Sequence, residues 1–325
     1  MKNPKIAVNI PAFNEEKTIA QVIKQVPRTI PGVKKVSVIV IDDGSSDRTG
    51  DLARGVGGAD KVARHTVNRG LGVAFRTGLE EALKLGADII VTMDADGQFD
   101  PKDIPRLIQP IMEDKADVVT CSRFKDRAMV PKMPWVKKFG NSVFTKIVSF
   151  LTGKKFTDTQ CGFRAYSREA ALRATLFGKF TYSQEVLLDL SQKGMVIEEV
   201  ACRVRGQREG QSKIVSHWYS YGAKALLIIM RAVRDYSPLK FFGIPGGIIF
   251  GAGLVTGLFM AAYWLLYTQT YPYTSLISVS ALLLTIGFLM MAVALLADLS
   301  GRQRKIQEEI LYRIKKKEFG NGKST

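Results

Sequence analysis

The sequence has few residues of the kinds that build several common catalytic centres. It contains two histidines and three cysteines among 325 residues. Two histidines leave almost nothing from which to build a histidine-based zinc site or a Ser-His-Asp triad. The cysteines, Cys121, Cys161 and Cys202, show neither a disulfide pairing pattern nor the spacing of a metal site. Zinc chemistry and triad chemistry are therefore poor explanations of this chain.

Charge is missing from two long stretches near the end of the sequence, residues 241–267 and 274–297. Each stretch is long enough to cross a hydrocarbon core of about 30 Å as a helix. The linker between them, residues 268–273, is short, so a hairpin of two transmembrane helices is predicted. Lysines and arginines flank the hairpin on both outer sides and are absent from the linker, so the positive-inside rule places both termini and the N-terminal domain in the cytoplasm. No apolar targeting stretch precedes the first strand, so no cleaved signal peptide is expected.

The net charge of +17 raises the question of nucleic acid binding. No nucleic-acid-binding motif is present, and much of the excess charge flanks the apolar stretches. An anionic membrane surface and an anionic lipid head group account for the charge more simply. We therefore expect a membrane partner and no nucleic acid.

The first part of the chain alternates apolar, strand-like runs with amphipathic, helix-like runs up to about residue 123. This alternation predicts an α/β fold with a mostly parallel sheet covered by helices on both faces. The predicted strands are 6–10, 36–41, a short one near 61–66, 89–93 and 118–122. Helices are predicted to begin at residues 15 and 47 and to span 70–84 and 101–112.

Acidic and turn-forming residues follow three of these strands. The sequences after the strands are Pro11-Ala12-Phe13-Asn14-Glu15-Glu16, Asp42-Asp43-Gly44-Ser45-Ser46-Asp47 and Asp94-Ala95-Asp96-Gly97-Gln98. In an open α/β sheet, ligands bind at the carboxyl ends of the strands. Asp94 and Asp96 are two residues apart and point to the same side, so they can share one hard divalent cation, with Gln98 close enough to assist.

These three motifs resemble the nucleotide-sugar half of the family 2 inverting glycosyltransferases, which have the glycosyltransferase A-type fold. Within that family the chain resembles the polyprenyl-phosphate sugar synthases of the dolichyl-phosphate mannose synthase kind, over about residues 5–215. The resemblance implies that Mg²⁺ or Mn²⁺ is bound by Asp94, Asp96 and Gln98. It implies that the donor nucleotide is bound by Pro11, Ala12, Asn14, Glu15, Asp43 and Asp94, and that residues 68–74 form a glycine-containing turn beside it.

The same resemblance extends to an acceptor half of the site. Asp158-Thr159-Gln160-Cys161-Gly162-Phe163-Arg164 resembles the family segment where the acceptor meets the donor sugar, and Ser122-Arg123 resembles a family Ser-Arg pair. Asp96, Asp158 and Arg164 are therefore the implied catalytic residues, and Arg123 and Arg164 the implied ligands of the acceptor phosphate. Residues 205–213 resemble the family's Arg-rich Gly-x-Ser-Lys segment, which closes over the diphosphate. The implied diphosphate contacts are Lys213 and one of two arginines, Arg205 or Arg208, and the choice between them stays open.

The implied reaction is transfer of a hexose from a nucleotide diphosphate sugar to a membrane polyprenyl or dolichyl phosphate, with inversion. Among the candidate donors, GDP-mannose is slightly preferred over UDP-glucose and UDP-N-acetylglucosamine. A processive polysaccharide synthase would carry a Gln-x-x-Arg-Trp element, whereas none of the three tryptophans here follows an arginine. The alternative of another class is a non-catalytic membrane scaffold or sugar-nucleotide sensor, which the acids at all three strand ends disfavour.

The predicted organisation has four parts: a glycosyltransferase domain over 1–215, an interfacial amphipathic helix over 216–240, two transmembrane helices over 241–299 and a basic tail over 300–325. An earlier amphipathic stretch, residues 141–151, is left open between a core-facing helix and an interfacial one. Glycines 243, 247, 251, 253 and 257 give the first apolar stretch small-x-x-x-small faces. Such faces pack closely against another helix or subunit, so a homo-oligomer is expected.

Overall fold

The structure, a computed structural model, describes residues 1–126, 130, 135–175, 182–204, 234 and 238–320. It divides into two compact units. One comprises residues 1–214 together with 310–325, and the other comprises residues 215–309. The first unit contains a seven-stranded sheet and the second contains a pair of long apolar helices.

The sheet has the strand order β3-β2-β1-β4-β6-β5-β7. Its strands are β1 (Lys5–Ala12), β2 (Lys35–Asp42), β3 (Lys61–Arg64), β4 (Ile89–Thr92), β5 (Val118–Ser122), β6 (Arg164–Ser167) and β7 (Ile197–Ala201). The pairs β1–β2, β1–β4, β2–β3 and β5–β7 are parallel. This arrangement confirms the predicted mostly parallel α/β fold.

The helices of this unit cover both faces of the sheet. They are α1 (Ile19–Gln25), α2 (Thr49–Arg54), α3 (Leu71–Lys84), α4 (Ile104–Met112) after a 3₁₀ turn (Pro101–Asp103), α5 (Trp135–Thr152), α6 (Arg168–Arg173) and α7 (Tyr182–Gln192). The main apolar core lies between the sheet and α1, α2 and α4. On the other face, the α3 residue Phe75 meets Tyr166 of β6 edge-on, with ring centroids 5.7 Å apart.

Strand β6 is antiparallel to both of its neighbours, β4 and β5. Its first residue, Arg164, therefore pairs with Thr92, the last residue of β4. The segment that leads into β6 consequently reaches the same sheet edge at which β4 ends. The sequence pattern did not predict this strand, yet it brings the acceptor motif to the donor motif.

Cys121 on β5 and Cys202 just after β7 are joined by a disulfide, with Cα atoms 5.7 Å apart. The absence of a pairing pattern in the sequence was therefore misleading. The two cysteines are 81 residues apart, and only the parallel pairing of β5 with β7 brings them together.

The second unit contains α8 (Ile244–Tyr267), preceded by a π-helical turn (Leu239–Gly243), and the first part of α9 (Ser275–Gly320). Both helices are long and apolar enough to cross a membrane. In the most apolar 18-residue stretch of each helix, only 11% and 17%, respectively, is buried. A core helix of a soluble protein would be mostly buried, so this exposure fits contact with lipid.

Small residues bring α8 and α9 into close contact, as the sequence predicted. A Cβ added to Gly253 would lie 2.8 Å from the Leu284 backbone nitrogen, and one added to Gly257 would lie 2.8 Å from Ser280 Oγ. Ser280 Oγ donates a hydrogen bond to the Gly253 carbonyl at 2.8 Å. Gly247 and Gly251 meet nothing within 4 Å in the described part of the chain. Homo-oligomer formation stays a prediction.

The predicted basic tail is helical through residue 320, because α9 continues to Gly320. Residues 310–320 belong to the first unit. The Arg173 guanidinium lies 4.0 Å from the ring centroid of Tyr312, and Lys315 Nζ donates to the Ala174 carbonyl at 3.1 Å. Tyr312 and Phe319 are each 8% exposed.

Candidate active site

The segments after β1 and β2 are tied together by hydrogen bonds from backbone N–H groups to side-chain oxygens. The Asn14 N–H donates to Ser45 Oγ at 3.0 Å, and Asn14 Oδ1 accepts from the Ser46 N–H at 2.9 Å. Asn14 has a φ of 54°, a left-handed conformation that a short polar side chain tolerates. The Glu15 N–H donates to Thr49 Oγ1 at 2.8 Å. Asn14 and Glu15, both predicted donor ligands, thus lie on a loop fixed against the loop of β2.

Pro11 and Ala12, also predicted donor ligands, are the last two residues of β1. They pair with Ile41 and Asp42 of β2. The Asp43 N–H then donates to the Ala12 carbonyl at 2.9 Å. Asp43 is therefore the first residue beyond the sheet edge, since β2 extends one residue past the predicted strand 36–41 and includes Asp42.

The Asp43 carboxylate is surrounded by donors from its own chain. Oδ1 lies 2.6 Å from His65 Nδ1 and accepts from the Arg69 N–H at 3.0 Å, while Oδ2 accepts from the Gly70 N–H at 2.8 Å. The far nitrogen of His65 lies 3.0 Å from Thr77 Oγ1. Only 5% of the Asp43 side chain is exposed. In this structure Asp43 organises the turn that begins α3.

The candidate metal ligands lie in the loop after β4. Asp94, Asp96 and Gln98 are all partly exposed, and Asp96 Oδ1 accepts from the Gln98 N–H at 3.1 Å. The Asp94 carboxylate fits against Gly162, where an added Cβ would lie 2.9 Å from both carboxylate oxygens. Any other residue at position 162 would therefore push Asp94 out of place.

These residues fit a hard divalent cation. Mg²⁺ in proteins is usually held by one or two carboxylates, with substrate phosphates and water filling the remaining positions. Among the described residues, no group of three or more His, Cys, Asp or Glu side chains forms a protein-only metal cage. Two carboxylates and an amide at an accessible edge match a cation that a diphosphate would help to hold.

Arg123 and Asp158 form a two-pronged ion pair on the acceptor side. Arg123 Nε donates to Asp158 Oδ2 at 2.6 Å, and Nη2 donates to Oδ1 at 3.0 Å. Asp158 is fully buried, whereas 21% of the Arg123 side chain is exposed. Burial opposes the charge on Arg123, but the hydrogen bonds and attraction of Asp158 outweigh it, and Asp94 adds to them, so the pKa of Arg123 is raised. Arg123 stays a cation between the two halves of the site.

Glu199 on β7 fixes the loop that carries Asp158. Its carboxylate accepts from the Thr157 N–H at 2.9 Å, from the Asp158 N–H at 3.0 Å and from Thr157 Oγ1 at 2.9 Å. Thr157 Oγ1 also lies 2.5 Å from Ser122 Oγ. The position of Asp158 is thereby set by β5 and β7 together.

Arg164, which was predicted to be a catalytic ligand of the acceptor phosphate, has a buried side chain that donates hydrogen bonds within its own chain. Its side chain is 0% exposed. Nε donates to Thr120 Oγ1 at 3.2 Å, Nη1 to the Ser183 carbonyl at 2.5 Å and Nη2 to the Thr159 carbonyl at 2.9 Å. Because the side chain of the first residue of β6 points into the face covered by α7, Arg164 braces the acceptor segment from beneath.

Cys161, for which the sequence suggested no chemistry, is a buried thiol. Burial raises its pKa to about 12, and the nearby Asp158 acts in the same direction. The thiol therefore stays protonated at neutral pH and is a poor nucleophile.

The remaining site predictions fall on other parts of the chain. Arg205, Arg208 and Lys213 lie outside the described residues, as does most of the predicted interfacial helix 216–240.

Sequence reasoning missed His65 and Glu199. Neither belongs to a strand-end motif: His65 follows the short edge strand β3, and Glu199 lies within β7. Glu199 carried no local signal because its partners, Thr157 and Asp158, are about 40 residues away. His65 did carry a weak one, since it is one of only two histidines in the chain.

Comparison with known proteins identifies related sequences. A family model described as glycosyl transferase family 2 matches residues 7–173. A UDP-N-acetylglucosamine–dolichyl-phosphate N-acetylglucosaminyltransferase from Methanococcus voltae is 38% identical over 52% of this chain and 72% of its own. A polyprenol monophosphomannose synthase from Mycolicibacterium smegmatis is 30% identical over 64% of this chain and 80% of its own.

The fold also matches that of solved glycosyltransferases. Glucosyl-3-phosphoglycerate synthase from Mycobacterium tuberculosis, solved with Mn²⁺, UDP and glucosyl-3-phosphoglycerate, has a TM-score of 0.52 and 24% sequence identity. The match covers 71% of this chain and 79% of that one. The same synthase has also been solved with Mg²⁺ and UDP.

Proposed function

Because this chain belongs to glycosyl transferase family 2, and is therefore a glycosyltransferase, we propose that it transfers a sugar from a nucleotide diphosphate sugar to a membrane polyprenyl phosphate, inverting the anomeric carbon. Both curated relatives described above are named for sugar transfer to a dolichyl or polyprenyl phosphate. For the sugar, mannose remains our first candidate.

The observation that carries this proposal is the contact between Gly162 and Asp94. An added Cβ at Gly162 would lie 2.9 Å from both Asp94 oxygens. The predicted donor–metal motif and the predicted acceptor motif therefore share one edge of the sheet. Direct transfer between two substrates requires them to meet in one cleft.

On the donor side, Asp94, Asp96 and Gln98 would hold Mg²⁺ or Mn²⁺. When bound, the cation would supply positive charge to offset that of the departing nucleotide diphosphate. The loop of Asn14 and Glu15 holds the nucleoside, and its hydrogen bonds to the β2 loop keep it in place. This preorganisation positions the anomeric carbon.

On the acceptor side, the lipid phosphate needs little activation. A phosphate monoester has a second pKa near 6, so it is largely ionised at pH 7. Asp158 is fully buried and paired with Arg123, which suits orientation of that arginine rather than proton abstraction.

The harder task is to bring two anions together, and Arg123 is suited to it. Two of its guanidinium nitrogens are held by Asp158, and Nη1 donates no hydrogen bond to any other described residue. A fixed guanidinium with one free edge can bind a phosphate oxygen. Asp158 thus aims Arg123 at the incoming lipid phosphate.

The outward face of α5 supports an encounter at a bilayer. Phe139 and Phe150 are 64% and 85% exposed, and they lie on one face because about three turns separate them. Lys138 and Lys146 are exposed beside them. Aromatic and basic residues on one helix face are typical of membrane-surface helices. The inner face of α5 contacts the acceptor segment, since Thr145 Oγ1 lies 3.3 Å from Thr159 Oγ1.

For the orientation in the membrane, we propose two spans with the catalytic domain and both termini in the cytoplasm. The lysines and arginines that flank the spans support this orientation, together with the uncharged linker. Assembly into a homo-oligomer is part of the proposal, with Gly247 and Gly251 of α8, which meet no described residue within 4 Å, as the proposed contact.

UDP-N-acetylglucosamine is the second candidate donor. The relative at 38% identity is named for that donor, whereas the mannose synthase is 30% identical. The residues at the strand ends do not distinguish a guanine from a uracil base.

The test is a donor panel with the full chain in detergent. GDP-mannose, UDP-glucose and UDP-N-acetylglucosamine are each offered with a polyprenyl phosphate and Mg²⁺ or Mn²⁺, and glycolipid formation is measured. We expect one donor to react, giving an inverted product. Asp114→Asn serves as a control, because that side chain is 75% exposed and bonded only to the chain start among described residues.

The same panel separates the alternative of another class. A sugar-nucleotide sensor or scaffold would bind a nucleotide without forming any glycolipid. Binding without turnover across the whole panel would therefore overturn the proposed enzyme.

A further inference from the structure

We propose that His65 is a positioning residue for the nucleotide donor, acting through Asp43 on the turn that begins α3. This inference rests on the proposed function, because it assigns the donor's binding loop. His65 is far in sequence from the candidate metal ligands and belongs to no strand-end motif. It follows β3 directly.

The contacts of His65 determine where its proton lies. Nδ1 is 2.6 Å from Asp43 Oδ1, and Nε2 is 3.0 Å from Thr77 Oγ1. A carboxylate can only accept, so Nδ1 carries the N–H that faces Asp43. In the neutral ring Nε2 then accepts from the Thr77 hydroxyl. The imidazole is 8% exposed, so solvent does not compete for these partners.

Asp43, held in place by His65, in turn binds the backbone of the turn before α3. Its two oxygens accept from the Arg69 and Gly70 N–H groups at 3.0 and 2.8 Å. Gly70 has a φ of 92° and precedes the first turn of α3. The turn is thus fixed at its backbone by Asp43, and Asp43 is fixed by His65.

The turn is packed directly against the donor edge. An added Cβ at Gly44 would lie 2.4 Å from the Val67 carbonyl carbon and 2.6 Å from the Asn68 nitrogen. Gly44 also has a φ of 73°, so the close approach requires glycine. Ser45 and Ser46, next in sequence, bind Asn14 of the donor loop. Movement of the turn would therefore disturb the loop that holds the nucleoside.

The consequence is a population effect on donor affinity. Without the His65–Asp43 hydrogen bond, Asp43 and the turn sample other arrangements. The apparent dissociation constant rises in inverse proportion to the fraction of molecules with the competent turn. The acceptor segment, which is fixed by Glu199, keeps its own contacts.

Two matched substitutions separate the two ring nitrogens. Asn places its amide nitrogen near the position of Nδ1, so His65→Asn keeps the bond to Asp43 and loses that to Thr77. Gln places its amide near Nε2, so His65→Gln keeps the bond to Thr77 and loses that to Asp43. Thr77→Val removes the Thr77 contact from the other side.

The experiment measures binding of UDP and of GDP, each with Mn²⁺, to the full chain in detergent by calorimetry. We expect the wild type to bind one of them. We expect His65→Gln to bind it about tenfold more weakly, as when the competent turn is populated about one tenth of the time. His65→Asn and Thr77→Val should stay within about threefold, because Asp43 keeps its partner. In transfer assays, His65→Gln should raise KM for the donor and leave KM for the lipid unchanged.

Each result decides something. If His65→Asn weakens binding as much as His65→Gln, or if both bind like the wild type, His65 does not act through Asp43 and the inference is overturned. If His65→Gln alone is less stable to heat, the test still holds, because the donor affinities of His65→Asn and Thr77→Val are measured separately. If the wild type binds neither UDP nor GDP, the proposed donor class is overturned, and this inference with it.

Discussion

Asp96 is the single side chain whose loss should be most informative. Asp96→Asn keeps the size of the side chain and its acceptor oxygen for the Gln98 N–H, but removes the charge that attracts a cation. A partly exposed loop residue contributes little to the core, so the fold should persist. We expect turnover with Mg²⁺ or Mn²⁺ to fall at least about 10²-fold, the loss typical of one strong electrostatic stabiliser. Glycolipid formation at saturating donor measures it, and normal turnover would remove Asp96 from the metal site.

Two arginines allow a paired test of the acceptor site. Arg123→Lys loses the planar fork that binds Asp158 and a phosphate together, so KM for polyprenyl phosphate should rise about tenfold or more, with KM for the donor little changed. Arg164→Lys is the matched control. Its guanidinium is fully buried, so we expect a lower melting temperature without a selective change in the lipid KM. Selective loss of lipid affinity in Arg164→Lys alone would instead support Arg164 as the ligand of the acceptor phosphate.

Arg123 and Arg164 show that a sequence motif can indicate which residues belong to a site but not which way their side chains point. The sequence could propose Asp94, Asp96 and Asp158 for one site because strand ends and residue spacing are local properties. It could not show which arginine faces the cleft. Arg164 begins an antiparallel strand that pairs with β4 and β5, and only that pairing decides which face of the sheet receives its side chain.

Among the helices and strands, the sequence predicted local elements better than their order. The predicted strand 118–122 and helix 70–84 agree closely with β5 and α3. Strand β6 was missed, because four residues that include a buried arginine give no apolar alternation. Its place in the middle of the sheet comes from pairing with strands distant in the chain, a tertiary effect that local pattern does not contain.

The end of α9 provides a prediction of its own. Tyr312 is 8% exposed, lies under the Arg173 guanidinium and accepts from Lys316 Nζ at 2.9 Å. Tyr312→Ala should therefore lower the free energy of unfolding of the catalytic domain by about 2 kcal/mol. The fall in its melting temperature in detergent measures this. Ile314→Ala, at a position 56% exposed on the same helix, should change it little, and equal effects of the two would mean that the segment is not docked.

For the whole chain, the decisive comparison is between truncations. Cutting after residue 215 removes both apolar helices and also residues 310–320, which pack on the catalytic domain. We expect this form to be soluble and less stable, and to bind donor nucleotide, because the described donor residues all precede the cut. Cutting after residue 309 removes the docked segment alone. It should share the loss of stability while keeping transfer to the long lipid, and it therefore serves as the control.

Transfer by the form cut after residue 215 tests how the acceptor arrives. A long polyprenyl phosphate sits in a bilayer or micelle, and its head group must reach Arg123 from that surface. Without the apolar helices the domain loses its attachment to that surface, so transfer to the long lipid should fall well below that of the full chain. A short, water-soluble prenyl phosphate reaches the cleft by diffusion, so its transfer should fall much less. Equal activity of the truncated and full chains on the long lipid would show that the helices serve only as an anchor, and that the acceptor is delivered by the catalytic domain itself.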